Sequence, residues 1–147
     1  MRALVQRVLC ASVTIDDAIA ASIGPGLLVL LGVTHDDDEA VADRLAHKLL
    51  KLRVFPDADG RMNEPLGPDR ELLCVSQFTL YGDARRGTRP SYTAAAGPAH
   101  AEPLYDRVCD TLGAARGVFG ADMRVALLND GPVTLMIEVP APSTRPT

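Results

Sequence analysis

The chain has 147 residues, of which 47% are hydrophobic and 4% aromatic, and its formal net charge is −4. This length suits one domain whose core needs no disulfide or metal. The acidic balance argues against a protein that grips nucleic acid along its whole length, so an RNA contact would need a local basic patch. The longest apolar run, residues 27–31, is too short to span a bilayer, and residues 1–8 lack a signal-peptide pattern. We therefore expect a cytoplasmic protein with no membrane partner.

The cysteines are widely spaced and form no Cys-x-x-Cys pair, so neither zinc binding nor redox chemistry is indicated. Cys10, Cys74 and Cys109 are each flanked by apolar residues, and we expect all three to be small buried side chains. Cys74 lies two residues before Ser76, which makes a nucleophilic role conceivable, but no histidine stands near it in sequence to lower its pKa.

The beginning of the chain predicts three strands. Residues 4–15 are rich in β-branched side chains and are followed by a turn at Asp16 and Asp17, after which residues 18–24 return as a second strand. Residues 27–33 show no polar alternation. This third strand is therefore predicted to be buried on both faces.

A helix is predicted after the third strand. Asp36 can cap it, with Glu39 three residues later, and acidic residues in the first turn suit the positive end of the helix dipole. The apolar stripe of this helix consists of Val41, Leu45, Leu49 and Leu52. The acidic cluster 36–38 beside His35 has a metal site as its alternative interpretation, but a helix start accounts for it more simply. We expect no metal and no cofactor.

The middle of the chain predicts one strand between two loops. Residues 55–70 have the composition of a loop, with a tight turn at Asp59 and Gly60. Residues 71–80 return to the apolar composition of a strand. Residues 81–97 form a second predicted loop, which carries a group of arginines.

A second helix and two more strands are predicted towards the C-terminus. Pro98 suits the first turn of the helix, Gly117 its end, and the apolar stripe consists of Leu104, Val108 and Leu112. Residues 122–129 and 133–139 are predicted as two strands. The Asp-Gly-Pro between them has the composition of a tight turn, although proline is normally excluded from the middle of a sheet. The alternative is that the Gly-Pro is displayed for a functional purpose.

These elements predict an α+β fold in a single domain over residues 1–139, with a mixed or antiparallel sheet and two main helices. Residues 140–147 are rich in proline, serine and threonine and are predicted to be a disordered tail. The apolar strand residues outnumber those that two helices can cover. Burial against a second copy of the chain would solve this, so we expect a homodimer.

The familiar catalytic sets are missing from the sequence. Ser76 is not part of a Gly-x-Ser-x-Gly elbow, and no His-x-x-x-His, Walker or dinucleotide-binding motif occurs. His35 and His100 lie near predicted helix starts, and His47 lies off the apolar stripe of the first helix. The chain therefore offers no obvious general base.

Three stretches remain as candidates for function. SQFTLYGD, residues 76–83, ends an apolar strand with a hydroxyl, an amide and an aromatic ring, and NDGPVT, residues 129–134, contains the unusual proline. DARRGTRPSY, residues 83–92, is a candidate patch for RNA, with an ordinary solvated loop as the alternative. Its arginines are Arg85, Arg86 and Arg89.

Several motifs, taken in order, resemble the D-aminoacyl-tRNA deacylase (D-tyrosyl-tRNA deacylase) family. They are ALVQRVLCASV, GPGLLVLLGV, DDDE, VSQFTL, RRGTRPSY, EPLYDRV and FGADMRVALLNDGPVT. The resemblance covers residues 1–139 and is specific because the whole set recurs in order. It implies a homodimer with its active sites at the subunit interface. The implied activity is hydrolysis of the ester bond of D-aminoacyl-tRNA and glycyl-tRNA, acting at the acceptor end and releasing the free amino acid and tRNA.

The resemblance also implies roles for individual residues. The catalytic stretch is Ser76, Gln77, Phe78 and Thr79. The backbone amides of Gln77, Phe78 and Thr79 would stabilise the oxyanion without a histidine base, and Ser76 would help to shape the pocket. The Gly131–Pro132 bond is expected to be cis, to enter the active site of the other subunit and to exclude L-amino acids, with Arg7 holding the Gly131 carbonyl. The residues implied for tRNA contact are Arg85, Arg86, Arg89 and, beside the adenine, Phe119.

Two other functions stay open at this point. One is a general serine or cysteine esterase that uses Ser76 or Cys74 as its nucleophile. The other is a dimeric tRNA-binding module without catalysis, which would bind tRNA tightly and release no amino acid.

Overall fold

The computed structural model describes residues 1–143, and these form one α+β domain as predicted. Within them lie eight strands, two α-helices and one 3-10 helix. In chain order they are β1 (Arg2–Ile15), β2 (Ala18–Ile23), β3 (Gly26–Gly32), α1 (Glu39–Lys51), β4 (Phe55–Pro56), β5 (Met62–Glu64), β6 (Glu71–Ser76), the 3-10 helix (Phe78–Tyr81), α2 (Pro98–Leu112), β7 (Ala115–Arg116) and β8 (Arg124–Glu138).

Six of the strands form one mixed sheet around the long strand β1. One edge of β1 pairs with β3 in its first half and with β2 in its second half, and β8 runs antiparallel along the other edge. β3 continues the sheet through parallel pairing with β6, which pairs with β7. As predicted, β3 is buried on both faces, with only Leu30 partly exposed. The predicted turn at Asp16 and Asp17 is also present, with left-handed φ angles of 48° and 64°.

Both helices pack with the sheet into the main hydrophobic core. The start of α1 differs from the prediction, because its N-cap is Asp38, whose carboxylate accepts the Val41 amide over 2.9 Å. Asp36 is exposed. Asp37 is buried instead and pairs with the amino group of Met1 at 2.7 Å. The acidic cluster therefore starts a helix and anchors Met1, the residue before β1.

Other predicted boundaries also shift. Helix α2 ends at Leu112 and is capped by Gly113, whose φ of 61° allows the left-handed cap, so it does not extend to Gly117. The strand predicted for residues 71–80 ends at Ser76 and gives way to the 3-10 helix. The predicted loop 55–70 contains a small hairpin, β4 with β5. Among the cysteines, Cys74 and Cys109 are buried as expected, whereas Cys10 is exposed.

The C-terminal prediction is only partly covered by the structure. Residues 140–143 have no helix or strand, and residues 144–147 lie outside the described residues. Across residues 1–143, neither helix combines the length and the apolar character that crossing a membrane requires.

Candidate active site

A cavity of about 420 Å³ opens where β3 and β6 end, beside the start of α2. Four of the residues predicted for the site line it: Ser76, Gln77, Phe78 and Phe119. Thr79, which follows Phe78 in the 3-10 helix, is not among the described residues that line the cavity. The cavity therefore brings together most of the stretch that was predicted to be catalytic.

The parallel pairing of β6 with β3 positions this stretch. Ser76 lies opposite Leu31, and the Gln77 amide donates to the Leu31 carbonyl over 2.7 Å. The chain then turns into the 3-10 helix, close against the end of β3. A Cβ on Gly32 would lie 3.1 Å from the Gln77 carbonyl oxygen, so glycine leaves room for this approach. The Gln77 side-chain amide also donates to the Thr79 hydroxyl.

The first amides of the 3-10 helix are available as donors. Within residues 1–143, no hydrogen bond involves the backbone amides of Phe78 or Thr79, as is usual in the first turn of a helix. The backbone amide of Gln77, in contrast, already donates to the Leu31 carbonyl. Of the three amides predicted to stabilise an oxyanion, two are free. Phe78 lines the cavity and Thr79 follows it directly, and preorganised backbone donors of this kind can stabilise developing negative charge.

The histidines do not supply a general base to Ser76. His35 bonds the Thr93 carbonyl, His47 the Asp43 carbonyl and His100 the Asp37 carbonyl, each at 2.7 Å. None of the three histidines lines the cavity, so Ser76 has no histidine base that would turn its hydroxyl into a nucleophile.

Cys74 is also unsuited to attack. A hydrogen bond with the thiol of Cys109, together with complete burial, raises the pKa of the Cys74 thiol well above its ordinary value. A neutral thiol is a poor nucleophile. The Cys74 carbonyl oxygen accepts the hydroxyl of Tyr105 over 2.8 Å, and Tyr105 in turn lines the cavity. Cys74 therefore supports the cavity lining through its bond with Tyr105 and is unsuited to act as a nucleophile.

The unusual proline lies in a protrusion from a continuous strand. The two strands predicted at 122–129 and 133–139 are one strand, β8, whose register against β1 shifts between Gln6↔Thr134 and Val8↔Asn129. Residues 130–133 of β8 thus lie opposite one residue of β1, Arg7. They include the Gly131–Pro132 peptide bond, which is cis. Proline has no backbone N–H to donate to a neighbouring strand. It is tolerated here because the register shift leaves this position unpaired.

Asn129 closes the base of this protrusion. Its side-chain amide donates to the carbonyl oxygens of Arg7 at 2.9 Å and Val133 at 3.1 Å. These bonds replace the ladder bonds that the register shift interrupts. The prediction assigned no role to Asn129, although it begins the NDGPVT stretch that was singled out.

Arg7 packs under the protrusion with only 13% of its side chain exposed. Its Nη1 donates to the Val54 carbonyl over 2.6 Å, and its Nε lies 3.1 Å from Asp130 Oδ2, a charge contact without good hydrogen-bond geometry. Nη2 lies 3.0 Å from the position of a Cβ on Gly131. Within the described residues, the Gly131 carbonyl is not among the acceptors of Arg7. The contact with the protrusion runs through Asp130 instead.

The arginines lie on a hairpin away from the cavity. Asp83 and Ser91 exchange two backbone hydrogen bonds of 2.8 Å, which close the loop between them. Arg85 pairs with the Asp83 carboxylate at 2.7 and 2.9 Å and lowers the pKa of Asp83 to about 2. Arg86 and Arg89 are exposed and form no ion pair with any residue in the described part of the chain. Of the three arginines on this hairpin, these two are the more available to an anionic partner.

Comparison with known proteins assigns the class. Residues 4–138 match the family model described as D-Tyr-tRNA(Tyr) deacylase. A D-aminoacyl-tRNA deacylase of Myxococcus xanthus (strain DK1622) is 54% identical, and the alignment covers 97% of each chain. One of Thermomicrobium roseum is 52% identical over 94% of each chain. The chain belongs to the D-Tyr-tRNA(Tyr) deacylase family. The predicted resemblance and the prediction of a deacylase enzyme are thereby confirmed.

Solved structures have the same fold. The c-Myc DNA Unwinding Element Binding Protein is 38% identical, with a TM-score of 0.89, and the match covers 96% of this chain and 100% of that one. A probable eukaryotic D-amino acid tRNA deacylase matches with a TM-score of 0.81 over 94% of this chain and 98% of that one. At 16% identity, the second match bears on the fold alone.

Proposed function

We propose that this chain hydrolyses the ester bond of D-aminoacyl-tRNA and glycyl-tRNA, releases the amino acid and tRNA, and spares L-aminoacyl-tRNA. The observation that carries this proposal is the pair of free backbone amides of Phe78, which lines the cavity, and of Thr79, the next residue, beside a lining that contains no histidine among the described residues. Membership of the deacylase family supports the substrate class.

The reaction does not require a side-chain nucleophile or a histidine base, because an aminoacyl ester is already activated. The vicinal 2′-hydroxyl of the terminal adenosine helps to position water, and negative charge develops on the carbonyl oxygen of the ester as water attacks. The amides of Phe78 and Thr79 hold that charge in a preorganised position. Ser76 shapes the cavity and Phe119 borders the adenine, and both residues lie in the cavity lining.

The protrusion of a second subunit carries out the chiral selection. Neither Gly131 nor Pro132 is part of the cavity lining found within residues 1–143, so in this account a partner supplies them. The protrusion forms a wall near the α-carbon of the bound amino acid. An L side chain points into the wall, a D side chain points away from it, and glycine has no side chain to clash. Arg7 and Asn129 hold the protrusion in place.

The homodimer that this requires is supported by the outer edge of β8. In the described residues β8 pairs with β1 only, which leaves a long strand edge open. Large apolar side chains are exposed on β1 and β8: Leu9, Leu127, Leu128, Leu135 and Met136. A second copy placed against these strands buries the apolar patch and satisfies the open edge.

The tRNA contact is proposed for the hairpin arginines, with Arg86 and Arg89 more available than Arg85. A few phosphate contacts near the acceptor end are compatible with an acidic protein, because phosphate contacts position a nucleic acid without a large interface.

The test is release of D-tyrosine from D-tyrosyl-tRNA by the purified full chain, with tRNA binding measured in parallel. Catalytic release at a rate well above the spontaneous rate is expected. Tight binding without release would favour the non-catalytic tRNA-binding module. Release that is abolished by Ser76→Ala would favour the serine esterase.

A further inference from the structure

Phe78 and Tyr92 form an exposed aromatic pair. Their ring centroids lie 5.3 Å apart with an angle of 71° between the planes, an edge-to-face arrangement. The rings are nevertheless open to solvent, with 57% of Phe78 and 42% of Tyr92 exposed. Neither residue lies on β1 or β8, where the apolar side chains assigned to the dimer contact are exposed. The pair therefore needs an explanation of its own.

The pair lies between the cavity and the arginine hairpin. Phe78 is part of the cavity lining. Tyr92 directly follows Ser91, which closes the hairpin through its two bonds to Asp83. The Tyr92 ring is seated on Gly82, where a Cβ would approach its Cε1 to 2.9 Å. A chain that leaves the cavity towards the arginines therefore passes over two fixed and exposed rings.

We infer that the Phe78–Tyr92 pair stacks a base of the single-stranded acceptor end, next to the nucleotide whose ester lies in the cavity. This inference rests on the proposed function, because it takes tRNA as the substrate. Proteins bind single-stranded nucleic acid by combining aromatic rings that stack bases with positive groups along the backbone. Here the rings are Phe78 and Tyr92, and the positive groups are Arg86 and Arg89.

Stacking on this pair is tolerant of sequence, because every base has an aromatic face. It adds affinity for the RNA while leaving the selection of the amino acid to the Gly131–Pro132 protrusion. A stacked base also fixes the direction in which the strand leaves the cavity.

The test uses Tyr92, because Phe78 also carries a catalytic amide. Three variants are compared with the wild type: Tyr92→Ala, Tyr92→Leu and Tyr92→Phe. Leucine keeps apolar bulk on Gly82 but has no aromatic face, whereas phenylalanine keeps the face. Two substrates are used, D-tyrosyl-tRNA and the D-tyrosyl ester of adenosine, which lacks the neighbouring nucleotide. The Kd for uncharged tRNA gives a readout that does not depend on hydrolysis.

Tyr92→Ala and Tyr92→Leu should raise KM for D-tyrosyl-tRNA and Kd for tRNA by about fivefold or more, with kcat maintained. Tyr92→Phe should restore both values, and KM for the adenosine ester should stay unchanged in all three variants. Equal losses on both substrates, or wild-type affinity in Tyr92→Leu, would overturn the inference. A wild type that binds tRNA through Tyr92 but releases no D-tyrosine would contradict the proposed function and leave the stacking site standing.

Discussion

The backbone amide of Gln77 donates to the carbonyl oxygen of Leu31 over 2.7 Å. This bond ends the parallel pairing of β6 with β3 and fixes the point at which the chain turns into the 3-10 helix. It removes Gln77 from the possible oxyanion donors and leaves the amides of Phe78 and Thr79. Catalysis in this account therefore depends on backbone geometry, which side-chain substitutions change only indirectly.

Ser76→Ala should reduce the rate of D-tyrosyl-tRNA hydrolysis by less than about tenfold, because the backbone donors remain. Loss of the nucleophile of a serine hydrolase costs about a millionfold, so the two mechanisms are well separated. Cys74→Ala serves as the matched test of the cysteine alternative. It should lower the free energy of unfolding by about 1 kcal/mol, because it removes a buried sulfur, and retain activity. Single-turnover rates of both variants check this prediction.

Gly131→Ala should weaken the discrimination between D- and L-aminoacyl-tRNA. Gly131 has a φ of 119°, and an added Cβ would lie 2.9 Å from Val133 Cγ2 and 3.0 Å from Arg7 Nη2. The protrusion must shift to accommodate this crowding. Gly60→Ala is the control, since Gly60 also has a positive φ, 78°, but a Cβ there meets nothing within 4 Å. Retention of full selectivity in Gly131→Ala would count against the proposed wall.

Replacement of both Arg86 and Arg89 by alanine should weaken tRNA binding and reduce its salt dependence. The slope of log K against log salt is negative, and each lost phosphate contact reduces its magnitude by about 0.7–0.9. Arg85→Ala should have a smaller effect, because Asp83 already neutralises part of the charge of Arg85. Chirality preference should stay unchanged in all these variants. Binding isotherms at several salt concentrations measure the effect, and an altered D/L ratio would argue against a role limited to phosphate contact.

Tyr105→Phe should destabilise the protein by about 1–3 kcal/mol near pH 8, because the Cys74 carbonyl loses its buried donor. Burial raises the pKa of Tyr105 above its ordinary value of about 10. The folded state thus holds the proton more tightly than the unfolded chain, so this contribution is complete below pH 10 and is lost as the pH rises further. Unfolding free energies from pH 8 to 11 should therefore fall less steeply in the variant. An equally steep decline would show that Tyr105 does not contribute.

The sequence predicted the fold class and the order of the main elements, and most of the stretch predicted to be catalytic lines the cavity. A continuous apolar run was sufficient to predict β3, and hydrophobic periodicity predicted the apolar stripe of each helix, except that Leu52 lies one residue beyond the end of α1. Local signals did not distinguish Asp36 from Asp38 as the cap of α1, because both carboxylates suit a helix start. The choice also involves Asp37, whose pairing with the Met1 amino group is a long-range contact.

Long-range contacts also explain what the site prediction missed. The loss of Gln77 as a donor depends on Leu31, a residue of another strand. The continuity of β8 through Pro132 depends on the register with β1 and on the side chain of Asn129. The contact from Arg7 to Asp130, in place of the expected contact with the Gly131 carbonyl, is equally a product of packing. Gln77 and Leu31, Asn129 and Arg7, and Arg7 and Asp130 are each far apart in sequence.

The central claim is chiral selection by exclusion of L side chains. One tRNA charged separately with D-tyrosine, L-tyrosine and glycine tests it most directly, with the three rates of hydrolysis measured side by side. Fast release of D-tyrosine and glycine is expected, while L-tyrosine is released at the spontaneous rate. Equal release of the two enantiomers would contradict this claim and indicate a general esterase.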